Sequence, residues 1–176
     1  MSVWAFDGRY LAADRAIVDR EVRYLATSPK IAHLGGTTYV ALAGDAGVLI
    51  AVLDWIRAGM APDDRPEIGP DISFSGLRLR RSDKDGLVHC WVLDRLLAPI
   101  ELVPPLSGGT GGDLALGAML AGASAVDAVA IACERDVWSA GPIDYVDITE
   151  PGFRQRAWKG SHEATPQTPG QAPVWP

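Results

Sequence analysis

Residues 1–14 read MSVWAFDGRYLAAD, and this stretch decides the fold. Residues 2–6 suit a strand, Asp7-Gly8 a turn, and residues 9–13 the returning strand. Asp-Gly is a favoured pair for a two-residue hairpin loop, because both central positions need positive φ. Ser2 stands at the open end of this hairpin. Loss of Met1 would leave the Ser2 α-amine free beside its own hydroxyl. A nucleophile and a base would then share one residue.

Outward from the hairpin, residues 15–29 are polar, with a short apolar pattern at Val22, Tyr24 and Ala26 that predicts a strand-loop-strand excursion. Residues 30–34 alternate like a strand, Gly35-Gly36 turns it, and TTYVALA over 37–43 is a buried strand by its β-branched and aromatic content. The run AGVLIAVLDWIR at 46–57 predicts a helix buried on nearly all sides, capped by Gly59. Residues 61–70 are rich in proline and acid and read as a loop. Residues 72–81 and 87–93 flank a second Asp-Gly turn, and 100–103 is a short strand stopped by Pro104-Pro105. Thr110 with Asp113, and Ser124 with Asp127, each have the shape of a capping box opening a helix. Residues 143–148 form a last strand. The final 150–176 hold five prolines and read as a flexible tail.

The chain has 176 residues, enough for one domain with a sizeable core, and 48% of it is apolar. A net charge of −6 argues against nucleic-acid and anionic-membrane partners. Arg78, Arg80 and Arg81 are the wet face of a strand. Cys90 and Cys133 read as buried free thiols of a reducing, cytoplasmic setting. Neither they nor His33, His89 and His162 have metal-ligand spacing, so no metal and no cofactor is expected. No apolar run is long enough to span a bilayer.

Taken in order, several stretches resemble one family. They are Ser2 after Met1, Asp7-Gly8 through Leu11-Ala12-Ala13-Asp14, Ser28-Pro29-Lys30-Ile31, Ala43-Gly44-Asp45-Ala46, Gly109-Thr110-Gly111-Gly112 with Leu114-Ala115, and Glu134-Arg135-Asp136 with Ser139 and Gly141. Together they resemble the proteasome β-type and HslV-type peptidases, which are N-terminal nucleophile (Ntn) hydrolases. The resemblance is nearest to the compact proteasome-like proteins of bacteriophages and prophages, which also have a short first hairpin and little of the second central helix. It covers residues 1–148.

The resemblance implies an α+β fold, a four-layer αββα sandwich of two antiparallel sheets with helices outside and the second central helix reduced, over a domain of residues 1–149; the tail of 150–176 has no counterpart in it. It implies a cytoplasmic endopeptidase, a homo-oligomeric ring, a polypeptide substrate and an ATPase unfoldase not named by the sequence. Ser2 takes the place of the family's N-terminal threonine, Asp14 and Lys30 fall on its acid–lysine pair, and Gly44 falls on the oxyanion-hole glycine. Thr110, Asp136 and Ser139 fall on the supporting hydroxyl–carboxylate–hydroxyl group.

This chain departs from the family in two respects. Serine lacks the methyl that orients the threonine hydroxyl. The hairpin is also four residues shorter between Ser2 and Asp14. Two residues removed from each strand would preserve the facing of every side chain, since the strand period is two. An ungapped alignment places the nucleophile before Met1 instead, and the phage-type pattern favours the first. In the implied scheme the Ser2 amine, which titrates near pH ~8 when free, accepts the Oγ proton and the Gly44 N–H stabilises the oxyanion. Lys30 favours the neutral amine and Asp14 holds Lys30. Asp136 and Ser139 orient the amine, and Thr110 orients its water.

Singly, each residue has a plainer role: Thr110 an N-cap, Asp136 and Ser139 a helix-end turn, Gly44 a turn glycine, Lys30 a surface lysine. Two further readings share the fold, a catalytically silent assembly subunit and an amidase of a small substrate.

Overall fold

The structure is a computed structural model, and it describes residues 2–19, 22–26, 29–150 and 152–156. Met1, Ser28 and residues 157–176, most of the expected tail, lie outside the described residues. The strands are β1 (Val3–Phe6), β2 (Tyr10–Ala13), β3 (Ala16–Asp19), β4 (Val22–Leu25), β5 (Ile31–His33), β6 (Thr38–Gly44), β7 (Phe74–Arg81), β8 (Val88–Leu93), β9 (Pro99–Glu101), β10 (Leu106–Gly109), β11 (Ile143–Asp147) and β12 (Phe153–Arg156). The helices are α1 (Ala46–Arg57), α2 (Gly112–Leu120) and α3 (Ala125–Arg135). Two five-stranded antiparallel sheets result, ordered β10-β1-β2-β11-β12 and β5-β6-β7-β8-β9, with β3 and β4 paired apart.

The core follows from the period of two. Along β1 every residue is buried: Val3 and Ala5 face one way, Trp4 and Phe6 the other. Trp4, Phe6, Leu11 and Ala13 meet Ile31, Tyr39, Ala41, Leu77, Leu79 and Cys90 of the second sheet. Val3, Ala5, Ala12 and Ile143 pack on Ala115, Met119, Val129 and Ala132 of α2 and α3. Val40, Leu42 and Leu93 pack on Val52, Trp55 and Ile56 of α1. Ser2 keeps the parity of Trp4 and Phe6, so the alternation aims it toward the sheet that Lys30 leads into.

The first hairpin forms as expected, but its loop is Gly8-Arg9 rather than Asp7-Gly8. Asp7 N–H bonds Tyr10 O at 3.3 Å, and Gly8 alone of the central pair has positive φ, +102°. Glycine at the first central position is the pattern of a II′ turn. Asp7 instead uses its carboxylate. Oδ1 accepts from the N–H groups of Arg9 and Tyr10, and Oδ2 from Ala125 N–H at 2.8 Å, fastening the hairpin to the start of α3.

Other expectations need correction. Helix α1 has the expected bounds and ends in a Schellman motif, with Met60 N–H to Trp55 O and Gly59 N–H to Ile56 O. It is not buried all round. Ile50 is 65% exposed, because among the described residues no layer covers the outer side of the helix. The expected capping box at Thr110 does not form: the N-cap of α2 is Gly111, and no side chain caps it. Strand β12 falls within the span expected as tail and pairs with β11. Strand β10 was not expected, and it carries the chain past Ser2. Among the described residues, no helix is long and apolar enough to cross a membrane.

Candidate active site

Three of the expected residues meet at one point. Asp14 follows β2, Lys30 precedes β5, and Ser2 precedes β1, so strand pairing within one sheet and packing between the two bring them together. Lys30 Nζ lies 2.9 Å from Asp14 Oδ1. Ser2 Oγ touches both, bonding to Asp14 Oδ1 and to Lys30 Nζ. Lys30 also donates to Ala16 O. Ser2 and Asp14 are buried, and the Lys30 side chain is 9% exposed. This is not a surface lysine.

The Asp14 carboxylate is fixed from five directions. Oδ1 accepts from Ser2 Oγ, Lys30 Nζ and Val3 N–H; Oδ2 accepts from Ala16 N–H and Ala140 N–H, each at 3.0 Å. A buried carboxylate is retained only when its lone pairs are taken up in this way. Burial pushes the Lys30 ammonium below its ordinary pKa, and the Asp14 charge partly opposes that shift.

Thr110, Asp136 and Ser139 form a second group. Asp136 Oδ2 accepts from Thr110 Oγ1 at 2.7 Å and from Ser139 Oγ at 2.5 Å, and its Oδ1 accepts from Trp138 N–H. Ser139 is fully buried. Ser2 joins the two groups: its carbonyl accepts from Gly111 N–H at 3.3 Å, with Thr110 Oγ1 at 3.4 Å. The glycines of β10 make this approach possible. A Cβ on Gly109 would stand 2.1 Å from Ser2 O, and one on Gly108 would stand 2.4 Å from the Trp4 ring.

Gly44 ends β6 with φ +149°, where a Cβ would lie 2.4 Å from Ser73 O. Only glycine fits both the conformation and the space. Its neighbour Ala43 stands 3.1 Å from that same Gly109 Cβ position, on the Ser2 side of the sheet.

Sequence reasoning missed two backbone contributors, the Ala16 carbonyl and the Ala140 N–H, which no side-chain pattern reports. The arrangement as a whole is a hydroxyl in contact with a buried lysine, itself held by a buried carboxylate. That is the equipment for activating an oxygen nucleophile.

No family model and no curated protein matches the chain. Solved structures do. The chain is similar to Thiobacillus denitrificans BPH, a bacterial proteasome homologue, with a TM-score of 0.62 and 21% identity over 83% of this chain and 96% of that one. It is similar also to the same protein in complex with epoxomicin, with a TM-score of 0.62 and 20% identity over 86% and 100% of the two chains. The fold is proteasome-like. At this identity the likeness speaks for the fold, and the chemistry rests on the residues described above.

Proposed function

We propose that the chain is a proteasome-type endopeptidase of the Ntn class whose nucleophile is Ser2 Oγ. The observation that carries this reading is the buried three-way contact of Ser2, Lys30 and Asp14. Lys30 and Asp14, each at the end of a different strand, converge there with the Ser2 hydroxyl, which loss of Met1 would place at the N-terminus. In the same reading the two sheets and their helices form a four-layer αββα sandwich. A single 3-10 turn at Pro62–Asp64 stands where the second central helix of that fold would be.

The chemistry differs in one respect from the scheme implied by the resemblance. Lys30 Nζ is in contact with Oγ, so Lys30 is the base for Oγ. Neutral Lys30 takes the Oγ proton as Oγ bonds to the carbonyl carbon of a peptide. The carbonyl electron pair moves to oxygen, where the Gly44 N–H stabilises it; one such donor is worth about 10²–10³ in rate. The C–N bond breaks, Lys30 returns the proton to the leaving amine, and water hydrolyses the acyl ester with Lys30 again as base. Loss of Met1 frees the Ser2 amine, which the Thr110–Asp136–Ser139 group orients.

The substrate is a polypeptide, by analogy with the inhibitor-bound neighbour, and the working form is a homo-oligomer, as the family resemblance implies. A panel of unfolded polypeptides and peptide esters tests this. Endoproteolysis by the wild type and none by Ser2→Ala supports the reading. A folded, Met1-free chain that cleaves nothing is the silent subunit. Turnover of small amides alone makes it an amidase.

A further inference from the structure

Beside the groups that meet at Ser2, one ion pair is built into the same corner of the fold. Arg15 follows Asp14 directly. Its Nε lies 2.6 Å from Asp144 Oδ2 and its Nη2 2.9 Å from Asp144 Oδ1, a two-pronged contact. The Asp144 side chain is 4% exposed and that of Arg15 17%. Asp144 is on β11, opposite Ala13.

The backbone around this pair is laced to both halves of the site. Arg15 N–H bonds Ala140 O at 3.1 Å, and Ala140 N–H bonds Asp14 Oδ2 at 3.0 Å. Ala140 directly follows Ser139, whose hydroxyl holds Asp136. One peptide unit therefore bridges the Ser2–Lys30–Asp14 group and the Thr110–Asp136–Ser139 group, and Arg15 fastens that corner to β11.

We propose that the Arg15–Asp144 pair is a positioning device that fixes the Asp14 carboxylate against Lys30 and, through Ala140, sets the spacing of the two groups. The inference rests on Ser2 as nucleophile. The pair touches neither Ser2 nor Lys30, and it acts through the two backbone segments it braces. A buried ion pair is commonly no more stabilising than apolar residues of the same volume. What a two-pronged guanidinium–carboxylate contact adds is fixed orientation. Lysine in its place keeps the charge and loses the fork. Displacements of about 1 Å among reacting groups cost up to about 10²-fold in rate.

The test uses the full chain with Arg15→Lys and Asp144→Asn, reading kcat and KM on a cleaved peptide and amide exchange at Ala16 and Ala140 by NMR. Both variants are expected to lose about ten- to hundredfold in kcat with KM within about twofold. Exchange at Ala16 and Ala140, whose N–H groups reach Asp14 Oδ2, is expected to quicken about tenfold or more, with α3 unchanged. Should Asp144→Asn not fold, Arg15→Lys carries the test alone. Wild-type kcat with wild-type exchange at both amides in folded Arg15→Lys overturns the proposal, as does a rise in KM alone. If the wild type cleaves nothing, Ser2 as nucleophile fails, and the two amides still decide the positioning: faster exchange upholds it, unchanged exchange overturns it.

Discussion

Asp14 Oδ1 and Lys30 Nζ lie 2.9 Å apart inside the protein, with the carboxylate wholly buried. Two opposed influences act on the lysine. Removal from water favours the neutral amine, the Asp14 charge favours the ammonium, and burial prevails. A lysine in this state is a serviceable base nearer neutrality than a free one, and it is in contact with the Ser2 hydroxyl.

Lys30→Met should therefore lower the rate about 10²–10⁴-fold, the usual worth of a positioned base. The wild-type rate should climb with pH and level off with a midpoint below the ordinary lysine value of 10.5. Stability should follow the same group. Between the lowered folded pKa and 10.5 the unfolded chain binds more protons, so stability rises with pH through that window. It is lost as pH falls through the folded value. Lys30→Met should remove both dependences. A pH–rate profile together with denaturant titrations at several pH values checks this.

Gly44→Ala should damage both fold and rate. The new Cβ would meet Ser73 O at 2.4 Å on a backbone at φ +149°. A strained position of this kind costs on the order of 1–3 kcal/mol. If the Gly44 N–H serves the oxyanion, its displacement should cost about 10²–10³ in kcat. Urea unfolding and steady-state kinetics on one preparation separate the two losses.

Acid stability should depend on Asp147, far from Ser2. Burial alone would raise its pKa, but the Arg9 guanidinium and the Thr149 hydroxyl and N–H outweigh burial and bring it down to about 2 from 3.8. The folded value is depressed, so the contribution is full above pH 3.8 and is lost as pH falls through about 2. Wild type and Asp147→Asn should differ in stability near neutrality and converge toward pH 2. Parallel unfolding curves over this range decide it.

Much of the fold was legible because its strands alternate and its turns are marked. The β6 run from Thr38, the hairpins closed at Gly8 and Gly86, and the bounds of α1 all follow from local pattern. Strand β10 was not legible. Its Leu-Ser-Gly-Gly lacks strand propensity, and its glycines answer to Trp4 and Ser2, residues over a hundred positions away. Thr110 looked like a helix cap because a hydroxyl with a carboxylate three residues on is a cap locally. In the fold its hydroxyl is turned to Asp136 instead. The apolar run of α1 gave no sign that Ile50 would be left exposed among the described residues, since periodicity cannot say how many layers surround a helix. At the site, Ser2, Asp14 and Lys30 were singled out by the family resemblance, with strand parity arguing only that the shorter hairpin keeps the facing of Ser2. The Ala16 carbonyl and the Ala140 N–H are main-chain groups that every sequence carries.

The most direct measurement is the intact mass and peptide map of the purified chain after treatment with a hydroxyl-acylating probe. Ser2 as nucleophile predicts a chain without Met1 that gains one acyl group, located on Ser2, and no adduct in Ser2→Ala. A folded chain without Met1 that gains no adduct at Ser2, or that labels equally well as Ser2→Ala, would contradict it.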